Sequence, residues 1–248
     1  EMHHCIASTI RKLNQTHLNG IYHRYGVTAT NFTNEDHELI LLESVLSDTV
    51  FSMSIKEAIK KNYILPIQAV FFRIKNDQLT SSKDYQKDYM DFVVENKRRN
   101  EVISETISNC VGKGVPTLTL VNKIRHGKVL HELAGGKFLN ATTGTTAENM
   151  QIVEEFNDLK HDHMIATSVV GEGVNTKACG AVINAKAGKS KKEMLQNIGR
   201  AVRKFPGQNI GFYFDFIDKG QKSLRAQSTE RLKICAEEFG IEPIIIDV

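Results

Sequence analysis

From residue 116 onward the chain alternates two patterns. Short apolar runs are followed by longer stretches in which apolar positions recur every three or four residues. Residues 116–121, Pro-Thr-Leu-Thr-Leu-Val, follow a Gly-Lys-Gly turn and read as a buried strand. A helix is predicted over 126–134, ended by Gly135-Gly136. Further helices are expected over 147–158, 191–203 and 223–239, and further strands over 163–167, 180–184, 209–216 and 243–247. Strands alternating with helices imply a doubly wound parallel α/β sheet, whose sites lie in loops beyond the strand carboxyl ends.

The first hundred residues are less regular. Helices are expected over 37–47 and 55–61, and a strand over 67–74. Residues 76–91 are polar and charged and read as a surface insertion or linker. A long helix over 87–110 would lead into a second domain, so the boundary is expected near residue 105.

Composition narrows the class. Hydrophobic residues make up 41% and charged residues 25%, as in a globular chain. Cys5, Cys110, Cys179 and Cys235 are far apart, which argues against a zinc or disulfide framework and for reduced thiols in a cytosol. No apolar run is long enough for a membrane span, and nothing resembles a signal peptide. The net charge of +3 neither demands nor excludes nucleic acid. The chain opens on Glu1 rather than Met, which reads as the cut end of a longer protein.

Three segments could carry chemistry. In Ile165–Asn175 a strand ends in Ala-Thr-Ser and glycines let the backbone turn close to a ligand. In Gln196–Arg203, Arg200 and Arg203 stand at i, i+3 on a helix and share a face. A guanidinium fork there could stabilise phosphoryl charge, or the pair could be a solvated helix end. In Leu118–Gly127 a strand runs through Val121-Asn122-Lys123 into a helix. Each alone is weak.

Taken in order they form a pattern. Val-Asn-Lys, then Ala-Thr-Ser with Glu172-Gly173, then Gln-x-x-Gly-Arg-x-x-Arg resembles motifs IV, V and VI of superfamily-2 helicases. Glu1-Met2-His3-His4 resembles motif II, Asp-Glu-x-His, with its Asp cut away, and Gly26–Thr30 resembles motif III. The phrase from Asn122 to Leu130 and the segment from Phe212 to Ile246 are most similar to the branch that holds UvsW-type phage recombination helicases and, more distantly, XPB.

The resemblance implies two RecA-like (P-loop NTPase) domains, the C-terminal part of one in 1–105 and a complete second in 106–248, working as a monomeric motor in the cytoplasm. It implies ATP with Mg²⁺ in the cleft between the lobes, and single-stranded or branched DNA, or RNA, across their tops. Glu1 matches the carboxylate that orients the attacking water, and His3 a histidine acting through Gln196. Arg200 and Arg203 match arginine fingers, Gly173 and Asn175 the nucleotide-sensing loop, and Thr28 and Thr30 the coupling motif. Asn122, Lys123 and Thr167 match contacts to the nucleic-acid backbone.

Two departures stand out. Position 175 is Asn where many relatives carry Asp. No phosphate loop is present: Ala187-Gly188-Lys189-Ser190 looks similar, but Ile183 stands where the first glycine is needed. Lys186, Lys189, Lys191 and Lys192 read as a solvated basic face, with DNA contact as the alternative. His161 and His163 flank Asp162 in what reads as a polar loop rather than a metal site. Tyr22, Tyr25, Tyr85 and Tyr89 read as packing residues rather than base-stacking platforms. Against an ATP-driven helicase or translocase on forked DNA stand three alternatives: a restriction-system motor, an RNA helicase, and a non-catalytic nucleic-acid-binding module that kept the fold.

Overall fold

A computed structural model describes residues 7–28, 40, 43, 45–46, 49–75, 81–82, 84–142, 144–167 and 174–248. The chain divides into two compact units, Glu1–Met53 and Ser54–Val248. In the first, α1 (Ser8–Thr16) is helical and buries none of its residues within the unit. Of the helix expected over 37–47, residues 40, 43, 45 and 46 are described, and they are helical.

The second unit contains α2 (Ile55–Lys60), β1 (Ile67–Ile74) and α3 (Tyr85–Tyr89), which runs into a π-helical turn at Met90–Val94. Then come α4 (Lys97–Gly112), β2 (Thr117–Leu120), α5 (Ile124–Ala134), β3 (Lys137–Leu139) and α6 (Thr146–Asn157). The chain closes with β4 (His163–Ala166), β5 (Ala181–Asn184), α7 (Lys191–Ala201), β6 (Gly211–Asp218), α8 (Lys222–Ile234) with a π-helical extension to Phe239, and β7 (Ile244–Asp247).

The seven strands form one sheet in the order β3-β4-β2-β5-β6-β1-β7, and every pair is parallel. Central strands covered on both faces must be apolar on both faces, and β2, β4 and β5 are buried at every position. Leu118, Leu120 and Val182 enter the core on one face, while Ile165, Ile183 and Phe216 enter the other. The alternation follows the period of two along a strand.

Two expectations meet a different arrangement. Strand β1 pairs with β6 along its whole length and with β7 on its other side, so it lies inside the sheet built from the strands after residue 106. The compact unit accordingly begins at Ser54 rather than near 105. The local pattern correctly marked a strand at 67–74 but could not say which sheet it joins. The second concerns 76–91. Residues 81 and 84–87 are exposed as expected, but the segment ends in the fold: Tyr89 is buried and packs with Phe92, Val93, Val94, Ala187 and Leu224 in a separate apolar cluster. Strand β3 was not legible either, since Lys137–Leu139 is too short to show a period.

Caps fix the helix starts. Thr145 and Glu148 form a reciprocal capping box on α6. The Ser190 hydroxyl accepts from the Glu193 amide at the start of α7, a contact typically worth about 1 kcal/mol. Among the described residues no helix is long and apolar enough to cross a membrane.

Candidate nucleotide and nucleic-acid sites

In a parallel sheet the strand carboxyl ends share one edge. Strands β4, β2 and β5 are neighbours, so Thr167, Asn122 with Lys123, and the loop 185–190 follow one another along that edge. Asn122 and Lys123 are exposed, and Lys123 caps α5. The Asn122 side chain hydrogen-bonds the Tyr89 phenol, whose pKa burial pushes up to about 12. Thr167 is nearly buried, and its amide donates to the Leu139 carbonyl at 3.1 Å.

The loop after β5 is held from beneath. Arg99 donates to the Ala185 carbonyl at 2.9 Å, the Tyr89 hydroxyl to the Lys186 carbonyl at 2.9 Å, and Arg231 to the Gly188 carbonyl at 2.5 Å. Gly188 sits at φ 97°, a conformation that favours glycine. Of the four lysines there, Lys191 is exposed and pairs with Glu238, whereas Lys186, which pairs with Glu193, is largely covered. The two histidines point to different partners. His161 Nε2 meets Glu155 Oε2 at 2.8 Å, whereas His163 Nε2 meets Thr119 Oγ1 at 3.1 Å.

Helix α7 carries the arginines to the opposite, amino-terminal edge. Gln196, Arg200 and Arg203 fall at i, i+4 and i+7, one stripe that continues past the end of α7. That end is anchored by the Leu65 amide, which donates to the Val202 carbonyl at 2.8 Å. Gly211 lets β6 start against it: a Cβ there would lie 2.3 Å from the Ala201 carbonyl oxygen.

Both arginines reach the segment that enters β5. Arg200 Nη1 donates to the Val174 carbonyl at 2.8 Å, and Arg203 Nη1 donates to Asn175 Oδ1. Arg200 is 6% exposed. Burial lowers its pKa, partly offset by the nearby Cys179 thiol, and the charge of Arg203 lowers it further. Arg203 is half-buried and lines a cleft of about 470 Å³ with Lys177, Lys204 and Asn157. Asn175 thus accepts from an arginine where a carboxylate in its place would form an ion pair, so the departure from Asp keeps the contact and removes its charge. Glu1, His3, Thr30 and Gly173 lie outside the described residues, and Thr28 is half-buried in the first unit.

Sequence reading missed a buried charge network. Asp215 Oδ2 and Oδ1 accept from Arg231 Nε at 2.8 Å and Nη2 at 2.9 Å. Asp215 also accepts from Asn184 at 3.0 Å and from the Tyr213 hydroxyl at 2.7 Å. Arg99 Nε donates to Asp218 Oδ1 at 3.0 Å, and its guanidinium lies 4.4 Å from the centre of the Phe216 ring. Burial raises the Asp218 pKa, against the pull of Arg99 and Arg231. The signal was present: two aspartates in the otherwise apolar run Gly211–Asp218 must find cationic partners if that run is a central strand.

Comparison with known proteins gives the same direction. Residues 98–205 match the helicase conserved C-terminal domain. "Putative helicase 22" of a Sulfolobus islandicus filamentous virus is 24% identical over 96% of this chain and 45% of its own length. The ATP-dependent DNA helicase UvsW of Enterobacteria phage T4 is 22% identical over 67% of this chain and 34% of its own. The chain therefore spans less than half the length of either relative. The crystal structure of T4 UvsW superposes with a TM-score of 0.58 at 18% identity, over 84% of this chain and 45% of that one. S. cerevisiae Dbp5 bound to RNA and ADP BeF3 gives 0.57 at 14% identity, over 87% of this chain and 49% of that one. With the family match, these relatives and the all-parallel sheet in agreement, residues 98–205 carry a helicase conserved C-terminal domain and the chain as a whole is similar to superfamily-2 helicases.

Proposed function

We propose that the chain is the part of an ATP-dependent helicase or translocase that holds the second motor domain, and that the whole protein acts on branched or forked DNA. The observation that carries the reading is the convergence of Arg200 and Arg203 on Val174 and Asn175. Arg200 on the last turn of α7 and Arg203 just past its end, both tied to the loop that follows the motif V glycines, would respond together to a nucleotide at the cleft.

The residues present fit a phosphate. Arg203 keeps further guanidinium donors beside Lys177 and Lys204, and a planar fork suits phosphoryl oxygens. ATP would supply the transferable phosphoryl group. Arg203, with Arg200 behind it, would stabilise charge developing in the transition state more than in the ground state. Gln196, one turn earlier, would receive the signal from His3 while Glu1 orients the water. Among the described residues no three or more His, Cys, Asp or Glu side chains cluster to hold a metal ion, and the resemblance would assign Mg²⁺ to the motif II side. On the carboxyl edge, Asn122, Lys123 and Thr167 would contact the nucleic-acid backbone, where neutralising phosphates releases counterions. Residues 1–53 would complete the first motor domain with Thr28 and Thr30 as the coupling motif.

The DNA reading leans on the UvsW resemblance and the sequence match to it, and RNA is the second reading, favoured by the fold shared with RNA-bound Dbp5. The test is ATP turnover and unwinding by the full-length protein on forked DNA, matched RNA duplexes and no nucleic acid. Stimulation by forked DNA above RNA is expected. Stimulation by RNA alone would reverse the substrate, and no turnover under any condition would favour the non-catalytic module.

A further inference from the structure

Asn157, the last residue of α6, has no place in the motifs above, yet its side chain meets the segment that both arginines hold. Asn157 Nδ2 donates to the Asn175 carbonyl at 2.8 Å. Asn157 Oδ1 accepts from the Lys177 amide at 2.6 Å and from the Ala178 amide at 3.3 Å. Two N–H groups on one side and a carbonyl on the other leave one orientation for the amide. It spans both sides of Thr176, which is fully buried. A single side chain from one helix thus does for residues 175–178 what a neighbouring strand would do.

The other side of the same segment is held by α7, through the Val174 carbonyl and the Asn175 side chain. Asn175 is the shared member: its backbone is fixed by Asn157 and its side chain accepts from Arg203. Moving the backbone by a fraction of an ångström moves the acceptor that aims the guanidinium. Asn157, Arg203 and Lys177 also line the same cleft.

We propose that Asn157 is a positioning residue for ATP turnover, setting the height of the 174–178 segment and through Asn175 the aim of Arg203. This rests on the reading of Arg203 as a finger. The role belongs to an amide and to no other side chain of this size. A carboxylate would keep the two acceptor contacts but set an anion against the Asn175 carbonyl, and an aliphatic group would lose all three bonds.

The test uses the full-length protein with Asn157→Ala, Asn157→Asp, Arg203→Ala and the Asn157→Ala/Arg203→Ala double variant. For Asn157→Ala, kcat for ATP is expected to fall about fivefold with KM changed less than about twofold, since the aim matters most when charge develops. Exchange of the Lys177 and Ala178 amides should accelerate by about tenfold while the central strands keep their protection. In the Arg203→Ala background the Asn157 change should cost no further turnover, because the two act through one group. If Asn157→Ala folds poorly, Asn157→Asp carries the test: slower turnover with the two amides still protected. Normal turnover in Asn157→Ala or Asn157→Asp while Arg203→Ala is impaired, or losses that multiply in the double variant, would overturn the proposal alone. Normal turnover in Arg203→Ala would instead overturn the finger reading, and the role of Asn157 in turnover with it.

Discussion

Two pairs of arginines in the 54–248 unit meet different surroundings. Arg99 and Arg231 are buried, at 0% and 2% exposure. Arg231 reaches both oxygens of Asp215 and two backbone carbonyls, and Arg99 reaches Asp218 and the Ala185 carbonyl. Arg200 and Arg203 instead hold one neutral acceptor each among the contacts described, on a segment at the sheet's amino edge. The first pair is committed to carboxylates in a low-dielectric interior. Among the described contacts the second pair meets neutral acceptors, and under the proposed function Arg203 would turn to an incoming anion. An arginine that has already met its counter-charge holds structure, as Arg99 and Arg231 do.

The largest effect should come from breaking the committed pair. Asp215→Ala leaves the Arg231 charge buried without its partner, which costs about 3–5 kcal/mol. Chemical denaturation of the variant measures it, and a loss under about 1 kcal/mol would place Arg231 with the second pair instead.

Acid should probe the same interior. His126, bonded to Asn100 at 3.0 Å, has its pKa lowered to about 3, by burial first and by Arg99 second. Burial lowers the His163 pKa to about 4. In the unfolded chain both titrate near 6.5, so below that pH the unfolded state binds more protons than the folded one. Their contribution is full above pH 6.5 and is lost as pH falls toward 4 and 3, by about 1 kcal/mol per pH unit for each histidine. Denaturation curves at pH 7, 6 and 5 check the slope, and His126→Gln should flatten it. A flat profile in the parent protein would mean that these rings are wet.

In the second pair, Arg203→Ala in the full-length protein should cut ATP turnover by at least about tenfold, at the low end of what arginine fingers supply. Folding stability and nucleic-acid affinity should hardly change. Arg203→Lys should not restore the rate, since an ammonium lacks the planar fork. Equal losses of binding and turnover would move Arg203 into the nucleic-acid groove.

The smallest effect is expected for a third kind of arginine. Arg73 pairs with Asp247 at 2.9 Å, both side chains partly in water. Arg73→Ala should change stability by less than about 1 kcal/mol in denaturant titration. A larger loss would show that docking of the edge strand β7 depends on that pair.

The sequence by itself determined the alternation of strands and helices from 116 on, the short edge strand β3 excepted, because central parallel strands and amphipathic helices carry their periods locally. It placed Arg200 and Arg203 three apart on one helix face, whereas the helix ends at Ala201 and Arg203 lies just past it. It could not say that β1 slots between β6 and β7, because any apolar run can pair with any other and only the finished sheet chooses. Asp215 and Asp218 were visible as charges in an apolar run, but Arg231 and Arg99 as their partners were not, as long-range pairing leaves no local period. Asn157 was the least legible: a helix-terminal asparagine looks like a helix end until 175–178 is folded against it. Periodicity is a property of neighbours along the chain. The buried ion pairs, the place of β1 and the seat of the 174–178 segment are properties of neighbours in space, and only the tertiary structure decided them.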